Sequence, residues 1–590
     1  MRKKLATIVA LLLTGALLLS ACASGGGGNN AQNGGSAGQG NGNASQDGGN
    51  AGQTGGSAPS EPAASGSAVS GVIPASDLSK LPDIAKQRTD TIIVALTDPS
   101  GAFTPYFHQS GYDGNVSSLL YTPLVTVDDT GIPVPALAES WEVSSDNLTY
   151  TFHLREGLKF SDGTPLTAED VAFTWTLLHD KAYDGDSLVP TLGIKGGQAY
   201  KEGKATSIEG IQILDPLTIS VTLEKPNATA LTTLGAEVLS KAYYGKDYVF
   251  GQLDYIKKLH EQPVGTGPYK LEKFIPGQEV RFIANEYFYK GKPKTERFIY
   301  KTSEGDTWQF IETGEIDFAS FSATEENIER LKSLGFVNIL PYTASNYGFL
   351  QVNHQREALK DKRVRQAIAY GLDRQSIYVD AVQGAGAVAN IPSSPISWAY
   401  TEEGINPYPH DPEKAKALLD EAGWVPGEDG IREKDGQKLV IHYLGSKRKE
   451  TDIFIAVAQE NFAEIGIRFE PEVFADFNAL ISKVEGGDYD LASFSTPLLT
   501  DPSDGLTQFL EIDGYDNPKV KELYDKGLAT NDIEERKAIY KELFQLLNDE
   551  LPLIFTSYRK TVYAYNGRIQ NLSVSPFNGI APSLPDWSLE

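Results

Sequence analysis

Alternation of hydrophobic and polar residues marks a clear strand near residue 150 of this chain. In residues 148–155, Leu148, Tyr150, Phe152 and Leu154 are separated by polar or charged residues. This period of two predicts a strand with one buried face. The preceding residues 144–147, with the sequence SSDN, are turn-forming, so a hairpin is expected.

A change of period to three and four residues predicts a helix shortly afterwards. Val171, Trp175 and Leu178 fall on one face of this helix. Thr167 can cap its start, and Asp170 stands three residues later in the capping-box position. Local pattern alone assigns no reactive group to this region.

Helices and strands alternate in the last third of the chain. Residues 409–424 have an N-cap aspartate, a proline in the first turn and a terminating glycine, which together predict a helix. Residues 439–445 predict a strand, and residues 452–474 predict a helix followed by a strand. This order is typical of an α/β fold.

Length and charge limit the classes of protein that need to be considered. With 590 residues, the chain is too long for one hydrophobic core, so two or three domains are expected. Asp and Glu outnumber Lys and Arg by 78 to 52, which gives a net charge of −26. Such acidity opposes binding to nucleic acid, but it says little about a small ligand whose site has its own local field.

The N terminus has the features of a secretion signal. A basic start at residues 2–4 is followed by a short apolar run, and residues 19–22, with the sequence LSAC, resemble the lipobox of bacterial lipoproteins. We therefore predict that residues 1–21 are a signal peptide and that Cys22 is lipidated. The alternative, a transmembrane anchor with an unrelated thiol, requires a longer apolar run.

A tether is predicted to follow the lipidated cysteine. Residues 23–70 are almost entirely Gly, Asn, Ser, Gln and Ala, which cannot bury enough apolar surface to order the chain. A flexible segment of this length reaches about 40 Å, so the globular body can stand clear of the lipid.

Patterns typical of catalysis, metal binding or cofactor binding are absent from the sequence. The seven histidines are scattered without metal-ligand spacing, and the single cysteine is assigned to lipid. A G-x-S-x-G match at residues 34–38 lies in the tether, and a G-x-G-x-x-A match at residues 384–389 follows a predicted helix rather than a strand. We predict no catalytic residue, no metal and no cofactor, although missing motifs do not exclude activity.

Several stretches resemble extracytoplasmic solute-binding proteins of the oligopeptide-binding type, family 5 of the receptors that serve ABC importers. The resemblance is strongest in residues 136–175, 261–293 and 346–377, and it extends over roughly residues 90–590. It implies an α/β, two-lobe periplasmic-binding-protein-like fold of the class II type, with an extra subdomain in the first lobe. The implied divisions are 22–75 for the lipidated cysteine and tether, 76–126, 257–344 and 556–590 for lobe I, 127–256 for the subdomain, and 345–555 for lobe II.

The same resemblance implies where a ligand binds. The loop that matches residues 111–115 lies at the cleft in the family, and the segment around residues 494–501 matches the cleft edge of the second lobe. The ligand-binding candidates are Tyr112, Asp113, Gly114, Asn115, Tyr347, Trp398, Phe494, Ser495, Thr496, Asp501 and Phe555.

One departure from the family concerns the ligand's ammonium group. Several peptide-binding relatives place a carboxylate a few residues before an Asp-Pro step, where this chain has Leu498 and Leu499. Asp501 is the candidate substitute, with Asp504 as another nearby carboxylate. A structural role for Asp501, capping or turn formation beside Pro502, is the alternative interpretation.

The resemblance implies a lipid-anchored, extracytoplasmic and monomeric receptor that captures a solute by lobe closure and delivers it to an ABC permease. An oligopeptide is the expected ligand, although family members also import sugars, nickel complexes and other solutes. A surface-tethered hydrolase of peptide or glycan remains an alternative. A peptide-pheromone receptor or adhesin without transport is a third possibility.

Overall fold

The computed structural model describes residues 71–590 apart from residues 109, 303–305 and 498–499. The predicted signal peptide, Cys22 and most of the predicted tether lie outside the described residues. Within them, the strands are β1 Thr91–Leu96, β2 Val125–Val127, β3 Pro133–Pro135, β4 Ala138–Val143, β5 Thr149–Leu154, β6 Ile211–Asp215, β7 Thr218–Thr222, β8 Tyr269–Ile275, β9 Glu279–Ala284, β10 Arg297–Thr302, β11 Phe318–Ser322, β12 Val337–Val352, β13 Gly386–Val388, β14 Val425–Pro426, β15 Arg432–Lys434, β16 Gln437–Lys438, β17 Val440–Ser446, β18 Arg468–Phe474, β19 Leu491–Pro497, β20 Leu553–Asn566, β21 Ile569–Gln570 and β22 Ser588–Leu589.

Helices occupy many of the connections between these strands. They are α1 Asp83–Lys86, α2 Gly111–Leu120, α3 Ala168–Leu178, α4 Gly197–Lys201, α5 Ala230–Leu234, α6 Lys241–Tyr244, α7 Thr307–Thr313, α8 Glu325–Leu334, α9 Glu357–Lys360, α10 Lys362–Gly371, α11 Pro412–Glu421, α12 Lys449–Glu464, α13 Phe477–Glu485, α14 Pro502–Leu506, α15 Pro518–Ala529 and α16 Ile533–Glu550. Short 3-10 and π-helical turns complete the helical elements.

Local predictions of strand and helix agree with the structure in the region around residue 150. Strand β5 alternates half-buried and buried residues and forms an antiparallel hairpin with β4, as the alternation predicts. Helix α3 starts at the predicted capping box, in which Thr167 and Asp170 satisfy each other's backbone amides. The predicted helix near residue 412 is also confirmed, with Asp411 accepting a hydrogen bond from the amide of Lys414.

One mixed sheet runs through most of the molecule in the order β18-β17-β19-β12-β20-β11-β1-β10-β9-β8, and β13 also pairs with β20. A separate four-stranded sheet has the order β4-β5-β7-β6. Its buried face packs with α3, where the indole nitrogen of Trp175 donates a hydrogen bond to the carbonyl oxygen of Leu234, 3.1 Å away.

Hydrophobic side chains gather into two large cores along the main sheet. The first core contains most buried residues from 92 to 342, together with residues near the C terminus. The second contains buried residues from Tyr347 to Tyr558. A smaller core lines the opposite side of β11, β12 and β20. Strands β12 and β20 therefore both pass from one large core to the other.

The expected tether extends too far toward the folded body. Ile73 forms two backbone hydrogen bonds with Ile339, at 2.8 and 2.9 Å, and the amide of Ala75 donates to the side-chain oxygen of Asn338 at 2.8 Å. Residues 71–75 therefore extend the folded region, because their backbone polar groups are paired with β12. Composition did not indicate this pairing.

Candidate functional site

The pairing of β12 with β20 is interrupted where the two large cores meet. Thr343 pairs with Lys560 and Tyr347 pairs with Tyr558, so residues 344–346 face the single residue Arg559. A second register shift follows between Gly348 and Phe349. Such bulges break the hydrogen-bond ladder and bend the strand. The chain thus crosses between the cores through a locally weakened pair of strands, which we call the hinge.

In the second core, the parallel strands end on the side of the sheet where the hinge lies. We call this side, formed by the strand ends, the edge of the sheet. Strand β17 is parallel to both β18 and β19, and the last residue of β19, Pro497, pairs with Asn346. From β17 the chain continues to β18 on one side, whereas β19 lies on the other. Open α/β sheets bind ligands in the crevice outside such strand ends. This edge, facing the first core, is the candidate site.

The two cores touch beside this edge. The amide of Trp398 donates to the carbonyl oxygen of Thr130 at 3.0 Å, and the amide of Ala228 donates to the carbonyl oxygen of Leu528 at 2.9 Å. Gly131 has a φ of +94°, and a β-carbon there would lie 2.9 Å from the carbonyl oxygen of Thr500. A side chain at residue 131 would therefore push the two cores apart.

The predicted binding loop at residues 111–115 is instead the first turn of α2. Ser110 caps this helix, and Asp113 completes a capping box. The buried carboxylate of Asp113 accepts hydrogen bonds from the amides of Gly101 and Ser110 at 2.9 and 3.0 Å, and also from the Ser100 hydroxyl. Asp113 therefore fixes the loop before the helix, and its carboxylate is occupied by hydrogen bonds within the protein.

The other ligand-binding candidates in the first core are more exposed to solvent than Asp113. Tyr112, Gly114 and Asn115 are half-buried on the first turns of α2. Tyr112 packs against the edge of the first core. They stay candidates for ligand contact.

Tyr347 and Phe555 were candidates for ligand contact, but both are buried in the second core, each about 1% exposed. Their rings meet edge to face at 6.0 Å, and the side-chain amide of Gln508 donates to the hydroxyl oxygen of Tyr347 at 2.7 Å. Burial raises the pKa of the Tyr347 hydroxyl. Both side chains therefore pack the second core beside the hinge.

Strand β19 carries three half-buried candidates toward the crevice. Ser495 pairs with Gly348 and Thr496 pairs with Tyr347 in the adjacent strand β12. The ring of Phe494 lies between those of Phe349 and Phe477, with centroids 6.3 and 6.4 Å away. Trp398 is also half-buried, and the Arg536 guanidinium lies 5.1 Å from its ring centroid.

Asp501 has the capping role that was the alternative interpretation. Its carboxylate accepts a hydrogen bond from the amide of Ser503 at 3.0 Å and caps α14. It also forms a bidentate ion pair with Arg536, with both nitrogen to oxygen distances at 2.7 Å. The expectation that Asp501 meets a ligand ammonium is therefore corrected, because its charge is already neutralised by a buried guanidinium. Sequence gave no signal for this partner, which lies 35 residues away.

Asp504, on α14, lacks the direct ion pair with Arg536 that Asp501 makes, although the guanidinium charge still acts on it. It is half-buried, and the described residues contain no ion pair to it. Burial, together with the negative charge of Asp501, raises the pKa of the Asp504 carboxyl to about 8. A cation arriving beside Asp504 would offset both effects and favour its ionised form.

The described residues lack two kinds of feature. No group of three or more His, Cys, Asp or Glu side chains in this part of the chain could hold a metal ion. No helix within the described ranges is long and apolar enough to cross a membrane.

Comparison with known proteins places this geometry in context. A family model described as "Bacterial extracellular solute-binding proteins, family 5 Middle" matches residues 133–517. Oligopeptide-binding protein AppA of Bacillus subtilis is 27% identical over 532 residues, covering 87% of this chain and 93% of AppA. Heme-binding protein A of Haemophilus influenzae is 28% identical over 504 residues, covering 80% of this chain and 88% of that relative.

Solved structures show the same architecture. NikZ from Campylobacter jejuni in complex with Ni(L-His) superposes with a TM-score of 0.69 at 26% identity, covering 85% of this chain and 100% of NikZ. The two-lobe, periplasmic-binding-protein-like α/β fold that the sequence predicts is therefore confirmed. Of these three relatives, one is named for oligopeptide binding, one for heme binding, and one was solved in complex with Ni(L-His).

Proposed function

This chain belongs to the bacterial extracellular solute-binding proteins of family 5, and on that premise we propose that it captures an oligopeptide in the cleft and delivers it to an ABC import permease. Members of this family are solute-binding receptors. The observation that carries the proposal is the hinge, because two strands that break register between two cores let the cores close around a solute.

Closure of this kind needs no catalytic residue. A ligand that contacts both lobes at once stabilises the closed arrangement by its differential affinity for that state. The hydrogen bonds that already join Trp398 to Thr130 and Ala228 to Leu528 would form part of the closed interface. Tyr112, Gly114 and Asn115 from one lobe, and Ser495, Thr496 and Trp398 from the other, are the proposed ligand contacts.

Two considerations favour a peptide as the solute. The relative named oligopeptide-binding protein AppA aligns over 87% of this chain. In addition, a peptide presents an ammonium group, and Asp504 offers a carboxyl that forms no salt bridge within the described residues, although the charge of Arg536 also acts on it. An ammonium left unpaired in a partly desolvated cleft costs several kcal/mol, so a carboxylate partner is expected.

The experiment compares free-amine and N-acetylated forms of the same peptides, after a thermal-shift screen identifies binders. Asp504→Asn should weaken the free-amine form by about 1 to 3 kcal/mol and the acetylated form much less. Asp516→Asn, at an exposed aspartate of the same lobe, is the matched control and should change neither. Calorimetry measures the affinities, and equal losses for both forms would remove Asp504 as the ammonium partner.

We also propose that Cys22 carries the lipid that holds the receptor at the outer face of the membrane. The lipobox resemblance of residues 19–22 supports this anchor. Cys22→Ser should release the protein into soluble fractions without changing ligand affinity. If the variant remains with the membrane to the same extent as the parent, the anchor lies elsewhere.

A further inference from the structure

Two asparagine side chains join the two cores outside the hinge strands. Asn147 lies in the turn between β4 and β5, and Asn531 lies in the turn between α15 and α16, 384 positions later. The side-chain amide of Asn531 donates a hydrogen bond to the side-chain oxygen of Asn147 at 3.0 Å. The side-chain amide of Asn147 donates in return to the carbonyl oxygen of Ala529 at 3.4 Å. We call this pair of asparagines the latch.

Two neighbouring contacts strengthen the latch. The backbone amide of Ala228 donates to the carbonyl oxygen of Leu528 at 2.9 Å. The hydroxyl of Tyr150 on β5 donates to the carbonyl oxygen of Asn227 at 3.0 Å and accepts from the side-chain amide of Asn531 at 3.4 Å. The turn between α15 and α16 therefore contacts two segments of the first core at once.

The turn between β4 and β5 does not itself need the side chain of Asn147. Its φ is +58°, in the left-handed region, which asparagine tolerates and glycine adopts more easily. The turn is held by the backbone amide of Asn147, which donates to the carbonyl oxygen of Ser144 at 2.8 Å, and by the carboxylate of Asp146, which accepts from the amide of Leu148 at 3.1 Å. Glycine would serve the turn equally well, so the asparagine side chain adds the bonds to the other core.

A buried ion pair anchors the second-core half of the latch. The guanidinium of Arg536, which pairs with Asp501, also donates to the carbonyl oxygen of Gly527 at 2.9 Å. The turn after α15 is therefore fixed to α14 and moves with the second core. Burial raises the pKa of the Tyr150 hydroxyl, while the hydrogen bond from Asn531 and the charge of Arg536 act in the opposite direction, in keeping with close contact between the cores.

A second contact point between the cores bears on the same guanidinium. The ring of Trp398 lies with its centroid 5.1 Å from Arg536, and its backbone amide donates to the carbonyl oxygen of Thr130 at 3.0 Å. On the first-core side, Thr130, Asn147 and Ala228 all lie within residues 127–256, where the extra subdomain is expected. The contacts that bridge the cores on this side of the cleft therefore come from that segment.

We propose that the latch holds the two lobes closed while the cleft is empty, so that residues 127–256 act as a positioning element that controls solute exchange. This inference rests on the proposed function for its effect on exchange. Because the latch bonds involve no solute, they stabilise the closed arrangement equally with and without one. A solute enters and leaves only when the latch opens, so the latch sets both rates while its effect on affinity largely cancels.

Small-angle X-ray scattering of the ligand-free protein tests the latch directly. Asn531→Ala and Asn147→Gly each remove the bond between the asparagines, and each should shift the equilibrium roughly fivefold toward the open arrangement and raise the radius of gyration. The double variant should shift it by less than the product of the two single shifts, because both variants lose the same bond. The matched control is Asn571→Gly, at an asparagine with a φ of +62° whose side-chain amide donates to the carbonyl oxygen of Asp586 within the first lobe. It should leave the radius of gyration unchanged.

Exchange of alanine peptides of three to nine residues gives a readout that a merely structural role would not move. In Asn531→Ala, the association and dissociation rate constants should both rise roughly fivefold, whereas the dissociation constant changes less than about twofold. Simple damage to the fold would speed dissociation without speeding association. Conversely, Asn147→Cys with Asn531→Cys, joined by a short bis-maleimide, should block peptide uptake. Cys22 is the only cysteine of the chain, so Cys22→Ser supplies the background for this variant.

The outcomes separate the latch from the proposed function. Unchanged scattering in both single variants and in the double variant would overturn the latch and leave peptide capture intact. Peptide uptake by the joined protein at the rate of the unjoined one, or failure of the reagent to join the two cysteines, would overturn it as well. If the unchanged protein binds none of the alanine peptides, capture of these peptides fails, and the scattering comparison still decides the latch.

Discussion

Replacement of Asp501 tests whether the second lobe depends on its buried ion pair. Arg536 is about 3% exposed and Asp501 about 7%, and Arg536 also donates to the carbonyl oxygen of Gly527 and to the Tyr540 hydroxyl. Asp501→Asn keeps a side-chain oxygen that can cap α14 but removes the negative charge. The guanidinium would then be buried without its counterion.

The expected loss of stability is large because removing one partner of a buried ion pair leaves the other as an uncompensated buried charge. Removing one partner typically destabilises by about 3 to 5 kcal/mol, and Asp501→Ala should add about 1 kcal/mol for the lost cap. Scanning calorimetry measures the change, which corresponds to roughly 2 to 4 °C per kcal/mol for a cooperative unit of 150 to 250 residues. Asp501→Asn combined with Arg536→Met should recover most of the loss, because no unpaired charge remains.

An exposed ion pair supplies the matched control for Asp501. Lys195 and Glu209 lie 2.6 Å apart, with side chains 53% and 67% exposed. Glu209→Gln should therefore cost less than about 1 kcal/mol. If Asp501→Asn costs no more than this control, the reasoning from burial is refuted, and Arg536 must be satisfied by Gly527, Tyr540 and water.

Two further predictions concern stability. Burial lowers the pKa of His354 from about 6.5 to about 4, and its Nε2 lies 2.8 Å from the carbonyl oxygen of Pro552. Between pH 6.5 and 4, His354 is protonated in the unfolded chain but remains neutral in the folded protein. The free energy of unfolding should therefore fall by up to about 3 kcal/mol as the pH drops through this range. His354→Gln should lose this part of the pH dependence in urea titrations, whereas His153→Gln should keep it. Truncation tests the start of the folded region: a chain beginning at Gly71 should keep its melting temperature, but one beginning at Ser76 loses the bonds of Ile73 and Ala75 and should be less stable by about 1 to 3 kcal/mol. Equal melting temperatures for both chains would show that the pairing with β12 contributes nothing.

Elements with local signals were predictable from the sequence. The hairpin of β4 and β5 and the capped helix α3 follow from alternation, turn residues and a capping box within about forty residues of chain. The two-lobe fold followed from resemblance rather than from periodicity, because no local pattern encodes the sheet order β12-β20-β11. Those pairings join residues more than two hundred positions apart.

Site residues were harder to assign, because their roles depend on distant partners. Asp113 was predicted to contact the ligand because its segment matches the cleft loop of the family. In the structure, its carboxylate accepts hydrogen bonds from the amides of Gly101 and Ser110. Tyr347 and Phe555 stand at the expected edge, yet alternation along β12 and β20 turns their rings into the second core. Asp501 and Arg536 come from separate elements that only the folded sheet brings together.

The local charges of the cleft differ from the charge of the whole chain. A net charge of −26 bears on solubility and on the exclusion of polyanions, but it does not describe the field inside one crevice. The Asp501 and Arg536 charges cancel each other, and the Asp504 carboxyl, whose pKa is raised to about 8, would supply a net negative charge on α14 once a cation lies beside it. At the hinge, exposed basic residues of β20 and of the segment after β17, among them Arg559 and Arg448, contribute positive charge instead. A crevice with a carboxylate on one element and guanidinium groups on others is complementary to a zwitterion, so the proposed peptide ligand agrees with the charges of the cleft where the overall composition could not identify it.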